Sequence, residues 1–174
     1  MSNHTILTIG AFLILTTILV SFYRLLGSSG DDISTSQDLI LATTIATSYL
    51  EQAQGLAFDA YTDTSNVRLT GTSTLTPAGL LGPEAGEDSI GAFNDFDDFN
   101  RLVATKAATG TNKVFTTTFR VNYVNPDNVD QISTTQTFMK RLDLKTWLSY
   151  PLKTDGATVD TLRMSVAMGY FRFD

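Results

Sequence analysis

Between Met1 and Tyr23 the chain contains no Asp, Glu, Lys or Arg, and residues 6–26 read ILTIGAFLILTTILVSFYRLL, with Arg24 as the first charge. A run that apolar and that long leaves few choices. As a helix rising about 1.5 Å per residue it spans about 31 Å, the thickness of a bilayer's hydrocarbon core. Thr8, Thr16, Thr17 and Ser21 do not forbid burial in lipid, because a helical hydroxyl can return its hydrogen bond to a carbonyl one turn back. Tyr23 and Arg24 suit the interface, the ring at headgroup level and the guanidinium reaching outward. Residues 1–5 carry no Lys or Arg and the run is longer than a usual signal-peptide core, so the segment is expected to stay in the protein. The side chains that would pack in a membrane or a filament core are Ile6, Leu7, Ile9, Phe12, Leu13, Ile14, Leu15, Ile18, Leu19, Val20 and Phe22.

Gly27-Ser28-Ser29-Gly30 follows, a helix-breaking signature, and Ser29, Asp31 or Asp32 can cap a new helix starting near Ile33. The sequence therefore predicts two tandem helices hinged at Gly27 and Gly30. It sets an apolar segment, residues 1–30, apart from a globular domain, residues 31–174. In the second helix Leu39, Ala42, Ile45 or Ala46, Tyr49, Ala53 and Leu56 recur at three-to-four spacing, an apolar stripe that must cover something.

Residues 61–91 are rich in Thr, Ser and Gly with Pro77 and Pro83, and read as surface loop with one short strand over 67–70. Phe93, Phe96 and Phe99, spaced by three, predict a short helical turn with rings inward and carboxylates outward. Three strands are expected beyond it. Residues 114–124 set Phe115, Thr117, Phe119, Val121 and Tyr123 on one face, with a turn at Asn125-Pro126-Asp127-Asn128. Residues 138–148 place Phe138, Leu142, Leu144 and Leu148 together, and Trp147 opposite them, either an exposed recognition aromatic or a ring under the long loop. After a turn at Thr154-Asp155-Gly156, residues 161–173 alternate again. An antiparallel meander with one apolar face needs a lid, and the amphipathic helix supplies it. The fold class is α+β.

The residues exclude much chemistry. The chain has no Cys and one His, His4, which removes thiolate nucleophiles, sulfur-based metal sites and most general-base catalysis. Twelve Lys plus Arg against 18 Asp plus Glu, net −6 and without a basic run, argue against nucleic acid as a partner. Asp95, Asp97, Asp98 and Asn100 resemble half a calcium loop, with Glu84, Glu87 and Asp88 nearby. Gly at the sixth position and a distal Glu are missing, so the cluster is expected to be a solvated acidic edge. The expectation is no enzyme, no cofactor and no metal.

An apolar helix running into an amphipathic one, a variable loop and a C-terminal antiparallel sheet make up, in that order, a layout that resembles a type IV pilin or pseudopilin over the whole chain. Residues 48–59, SYLEQAQGLAFD, and 93–100, FNDFDDFN, are similar to segments of minor pilins such as type IV pilus modification protein V and mannose-sensitive haemagglutinin minor pilin D. The resemblance implies a structural subunit of an extracellular, adhesive filament on the cell surface. Its partners would be further copies of itself in a helical homopolymer, the inner membrane before assembly, and a pilus assembly machinery. The alternative is a single-pass membrane protein or minor tip pilin with an exposed binding domain. One departure stands out. Pilins carry a Glu at the fifth mature position, thought to pair with a neighbour's N-terminal amine, and here no Glu precedes Glu51.

Overall fold

The computed structural model describes residues 3–64, 69–151 and 160–170. The chain divides into two compact units, Met1–Ile40 and Leu41–Asp174. One helix, α1, runs from Asn3–Gln54 without interruption, so the two expected helices are a single one. The energetics explain why. Two interior glycines cost about 2 kcal/mol in helix propensity. Breaking the helix would instead strip several carbonyls and N–H groups of their partners on either side of the gap. Ser36 Oγ donates to the Asp32 carbonyl 2.8 Å away, which places Asp32 inside the helix and not at a cap.

The second unit is the antiparallel α+β domain. Its strands are β1 (Val103–Ala107), β2 (Val114–Asn125), β3 (Asn128–Ile132), β4 (Met139–Tyr150) and β5 (Thr161–Gly169). The sheet runs β1-β2-β4-β5, with β3 paired to β2 across the turn expected at Asn125 to Asn128. There Asp127 N donates to Asn125 Oδ1 at 3.0 Å, an Asx turn. In register, Phe119 faces Leu144, which faces Met164, and Val121 faces Leu142, which faces Val166. The predicted strands are thus β2, β4 and β5, while β1 and β3 are additions. Residues 154–156, 67–68 and 171–173 lie outside the described residues, and Leu69 and Thr70 form no strand.

The last turns of α1 are the lid. Ala42, Ile45, Ala46, Tyr49, Leu50 and Ala53 are buried in one cluster with Phe115, Phe119, Val121, Leu142 and Leu144. Tyr49 meets Phe119 edge to face, 5.1 Å between centroids at 88°. Leu39, expected on the stripe, is exposed.

The Thr/Ser/Gly-rich stretch is not a free loop. Leu69, Leu75 and Leu81 are buried with Phe58 and Tyr123 in a second cluster. Asn100 Nδ2 donates to the Leu81 carbonyl at 2.8 Å, and Tyr123 OH to the Thr76 carbonyl at 2.8 Å. A short helix, α2 (Ala60–Thr64), opens this stretch.

Candidate functional site

Each of Ile6, Leu7, Ile9, Phe12, Leu13, Ile14, Leu15, Ile18, Leu19, Val20 and Phe22 is exposed, from 46% at Val20 to 75% at Leu7. The apolar surface is not confined to one face, since consecutive positions such as Phe12 to Leu15 all show it. The helix is long and apolar enough to cross a membrane, and its most apolar 18-residue stretch has a mean hydropathy of 2.3. Its hydroxyls behave as expected. Thr8 Oγ1 donates to the His4 carbonyl, Thr16 Oγ1 to Phe12 at 2.7 Å, Thr17 Oγ1 to Ile14 at 2.8 Å and Ser21 Oγ to Thr17 at 2.8 Å. The polar atoms are therefore satisfied within the helix, and what remains outward is hydrocarbon. Gly27 and Gly30 lie in the same helix, and a Cβ built on either meets nothing within 4 Å.

The acidic turn lies where the sequence did not put it. Phe96–Phe99 forms a 3-10 turn, and Phe96 and Phe99 point inward as predicted. The carboxylates do not point outward: Asp95, Asp97 and Asp98 have no exposed surface at all. Asp95 caps the turn, its Oδ1 accepting from Asp97 N at 2.8 Å, while Asp98 Oδ2 accepts from Asn94 N at 2.9 Å and Asp95 N at 3.0 Å. Burial is tolerated because Lys140, equally buried, reaches in from β4. Its ammonium donates to the Phe58 carbonyl at 2.7 Å, to Asp59 Oδ2 at 2.8 Å and to Asp97 Oδ1. Those contacts use all three of its N–H groups. The rings of Phe58 and Tyr123 lie 4.7 and 5.3 Å from the nitrogen.

One ammonium does not balance this cluster. Glu84, Glu87, Asp95 and Asp98 lie beyond its donors, and carboxylate oxygens of Glu84, Asp95 and Asp98 fall within 4.8 Å of one another. Asp95 Oδ2, Asp97 Oδ2 and Asp98 Oδ1 are buried and accept no hydrogen bond. Burial, then the charges of Asp97 and Asp98, push the Asp95 carboxyl up to about 8. Burial, then the hydrogen bond with Glu87 and the charge of Asp98, raise Glu84 to about 7. Asp98 is raised by burial. Burial would also raise Glu87, but the Glu84 N–H at 2.8 Å and its neighbours' hydrogen bonds outweigh it and lower that carboxyl. Among the described residues, Glu84, Asp95 and Asp98 form the group of carboxylates that could hold a metal.

The outer face of the sheet carries a different surface. Arg120, Arg141, Lys145 and Arg163 line a shallow hollow of about 590 Å³ with Asp143 among them. Arg141 is committed, with Nε 3.0 Å from Asp143 and Nη1 2.7 Å from the Val129 carbonyl. Trp147, on the same outer face between Thr116 and Thr161, is half-buried. No family model, no curated protein and no solved structure matches the chain.

Proposed function

We propose that the protein is a structural subunit of an extracellular type IV pilin-like filament, inserted in the inner membrane as a precursor and polymerising through residues 6–22. The observation that carries this reading is the exposure of apolar side chains along a helix whose last turns seal an antiparallel sheet. Such a helix demands an apolar surrounding, lipid first and then the same helix of other copies. Burial at about 25 cal/mol per Å² supplies ample drive for association once a machine extracts subunits from the membrane. Repeating head-to-tail contacts that do not close give a helical polymer. Within it, Gly27 and Gly30 are the hinge, two glycines only three residues apart that weaken α1 together just beyond its apolar segment.

A second reading, a single-pass membrane protein or minor tip subunit that binds a partner, draws support from the basic hollow formed by Arg120, Lys145 and Arg163 on a chain of net charge −6. Electron microscopy of sheared surface material, labelled with antibody against residues 31–174, decides between them. Label along the length of filaments is expected for a structural subunit. Label at tips alone, or in the membrane fraction alone, would transfer the assignment to the second reading.

A further inference from the structure

We infer that Glu84, Asp95 and Asp98 bind a divalent cation, calcium by their chemistry, and that the ion completes the charge balance of the buried acidic turn. This inference does not depend on the filament. The geometry suits it: two oxygens on opposite sides of calcium, each about 2.3–2.6 Å from it, are about 4.6–5.2 Å apart. The three carboxylates already lie within 4.8 Å of one another. The donors are all oxygens, which selects a hard cation over zinc or copper.

The independent observation is the state of the two buried aspartates. Asp98 Oδ2 is occupied by the N–H groups of Asn94 and Asp95, and Asp95 Oδ1 by that of Asp97. The second oxygen of each, Asp98 Oδ1 and Asp95 Oδ2, is fully buried and accepts nothing. A buried carboxylate oxygen without a partner is costly, and two beside a third carboxylate are more so. Lys140 cannot help, because its donors go to Phe58, Asp59 and Asp97. The backbone bonds of the turn hold both aspartates in place, so the site is largely preorganised. Glu84, exposed, gives a path from solvent and room for the waters that bring coordination to six or more. Magnesium, which demands a near-ideal octahedron and dehydrates reluctantly, fits less well.

The test uses the full chain in detergent micelles after treatment with a chelator, titrated with calcium chloride by calorimetry and followed by thermal unfolding. One calcium per chain and a rise in Tm that magnesium chloride does not reproduce are expected. Asp95→Asn disturbs a buried turn, so the deciding variant is Glu84→Gln at the exposed position. It should weaken calcium binding about tenfold or more. In chelator its Tm should stay unchanged or rise, since it removes a charge from a repulsive cluster. Absence of saturable binding up to about 10 mM calcium, or undiminished binding by Glu84→Gln, would overturn the assignment and leave protons as the balancing charge.

Discussion

Lys140→Met is the perturbation that interrogates the domain most directly. The substitution keeps the length and the apolar stem but deletes the ammonium, and with it the bonds to the Phe58 carbonyl, Asp59 and Asp97. Two carboxylates are then stranded at positions without exposed surface. Removing one partner of a buried ion pair costs about 3–5 kcal/mol. The lost cation–π contact with Phe58, 4.7 Å from the nitrogen, adds about 0.5–2 kcal/mol. Better transfer of the methionine end recovers part of this, so a net loss of about 4 kcal/mol is expected. For a domain of this size that is a fall in Tm of roughly 10–20 °C. Circular dichroism of the full chain in micelles, read at the sheet signal and repeated in urea, measures it. Pairing the change with Asp97→Asn should restore about 1 kcal/mol or more, because one stranded charge disappears. A loss below about 1 kcal/mol for the single variant, or strict additivity in the pair, would refute the claim that Lys140 holds the acidic turn in place.

Ile14→Asp puts a carboxylate in the middle of the apolar segment at about 2.5–3.5 kcal/mol or more in lipid. It should abolish filaments while leaving the sheet domain's thermal transition intact, and normal filaments in negative stain would contradict the core assignment. Gly27→Ala with Gly30→Ala meets open space at both positions and should stabilise that part of α1 by about 2 kcal/mol, slowing amide exchange there up to about 30-fold. Unchanged exchange, or unchanged filament geometry alongside slower exchange, would count against the hinge. In chelator, stability should fall as pH rises from about 5 to 8.5. Asp95, held up from its ordinary 3.8 to about 8 among Asp97, Asp98, Glu84, Glu87 and Lys140, favours the folded state when protonated and loses that contribution as pH passes through 8. Calorimetric scans across that range check the sign, and a flat or rising Tm would contradict it.

The sequence made some elements legible and hid others for identifiable reasons. β2, β4 and β5 could be read because each presents an alternating face to the core, as with Phe115, Phe119 and Val121. β1 and β3 could not, since β3 is exposed at every position and β1 at all but one, so neither shows hydrophobic alternation. The glycine pair misled because local propensity is a small term beside the cooperativity of a helix already formed on both sides. The aromatic spacing of Phe93, Phe96 and Phe99 gave the right turn, and the outward carboxylates were wrong because charged groups are normally solvated. The cancelling partner, Lys140, is 43 residues from Asp97 and 81 from Asp59. A signal for it did exist: Lys140 falls in phase with Phe138, Leu142 and Leu144, and a lysine on a buried face requires a carboxylate somewhere in the fold.

That lysine also bears on how a filament subunit would carry load. If copies join through α1, any pull on the polymer enters the sheet domain where α1 meets it. Two attachments lie there in series. The first is the apolar seam from Ala42 to Ala53, whose contacts are weak singly and can slide. The second follows within a few residues of Gln54. The Phe58 carbonyl and the Asp59 carboxylate are bound to Lys140 on β4, and Phe96 N donates to the Ala57 carbonyl at 2.9 Å. These are directional bonds in a dry interior, where an ion pair cannot exchange gradually for water and yields only by exposing charge. The clamp sits on β4, an inner strand paired on both sides, with β2 and with the edge strand β5, so tension enters the sheet two strands away from the exposed edge strand β1. On this geometry Lys140→Met should detach the end of α1 from the sheet before the sheet itself opens, and amide exchange at Phe58 and Asp59 should rise ahead of exchange in β2.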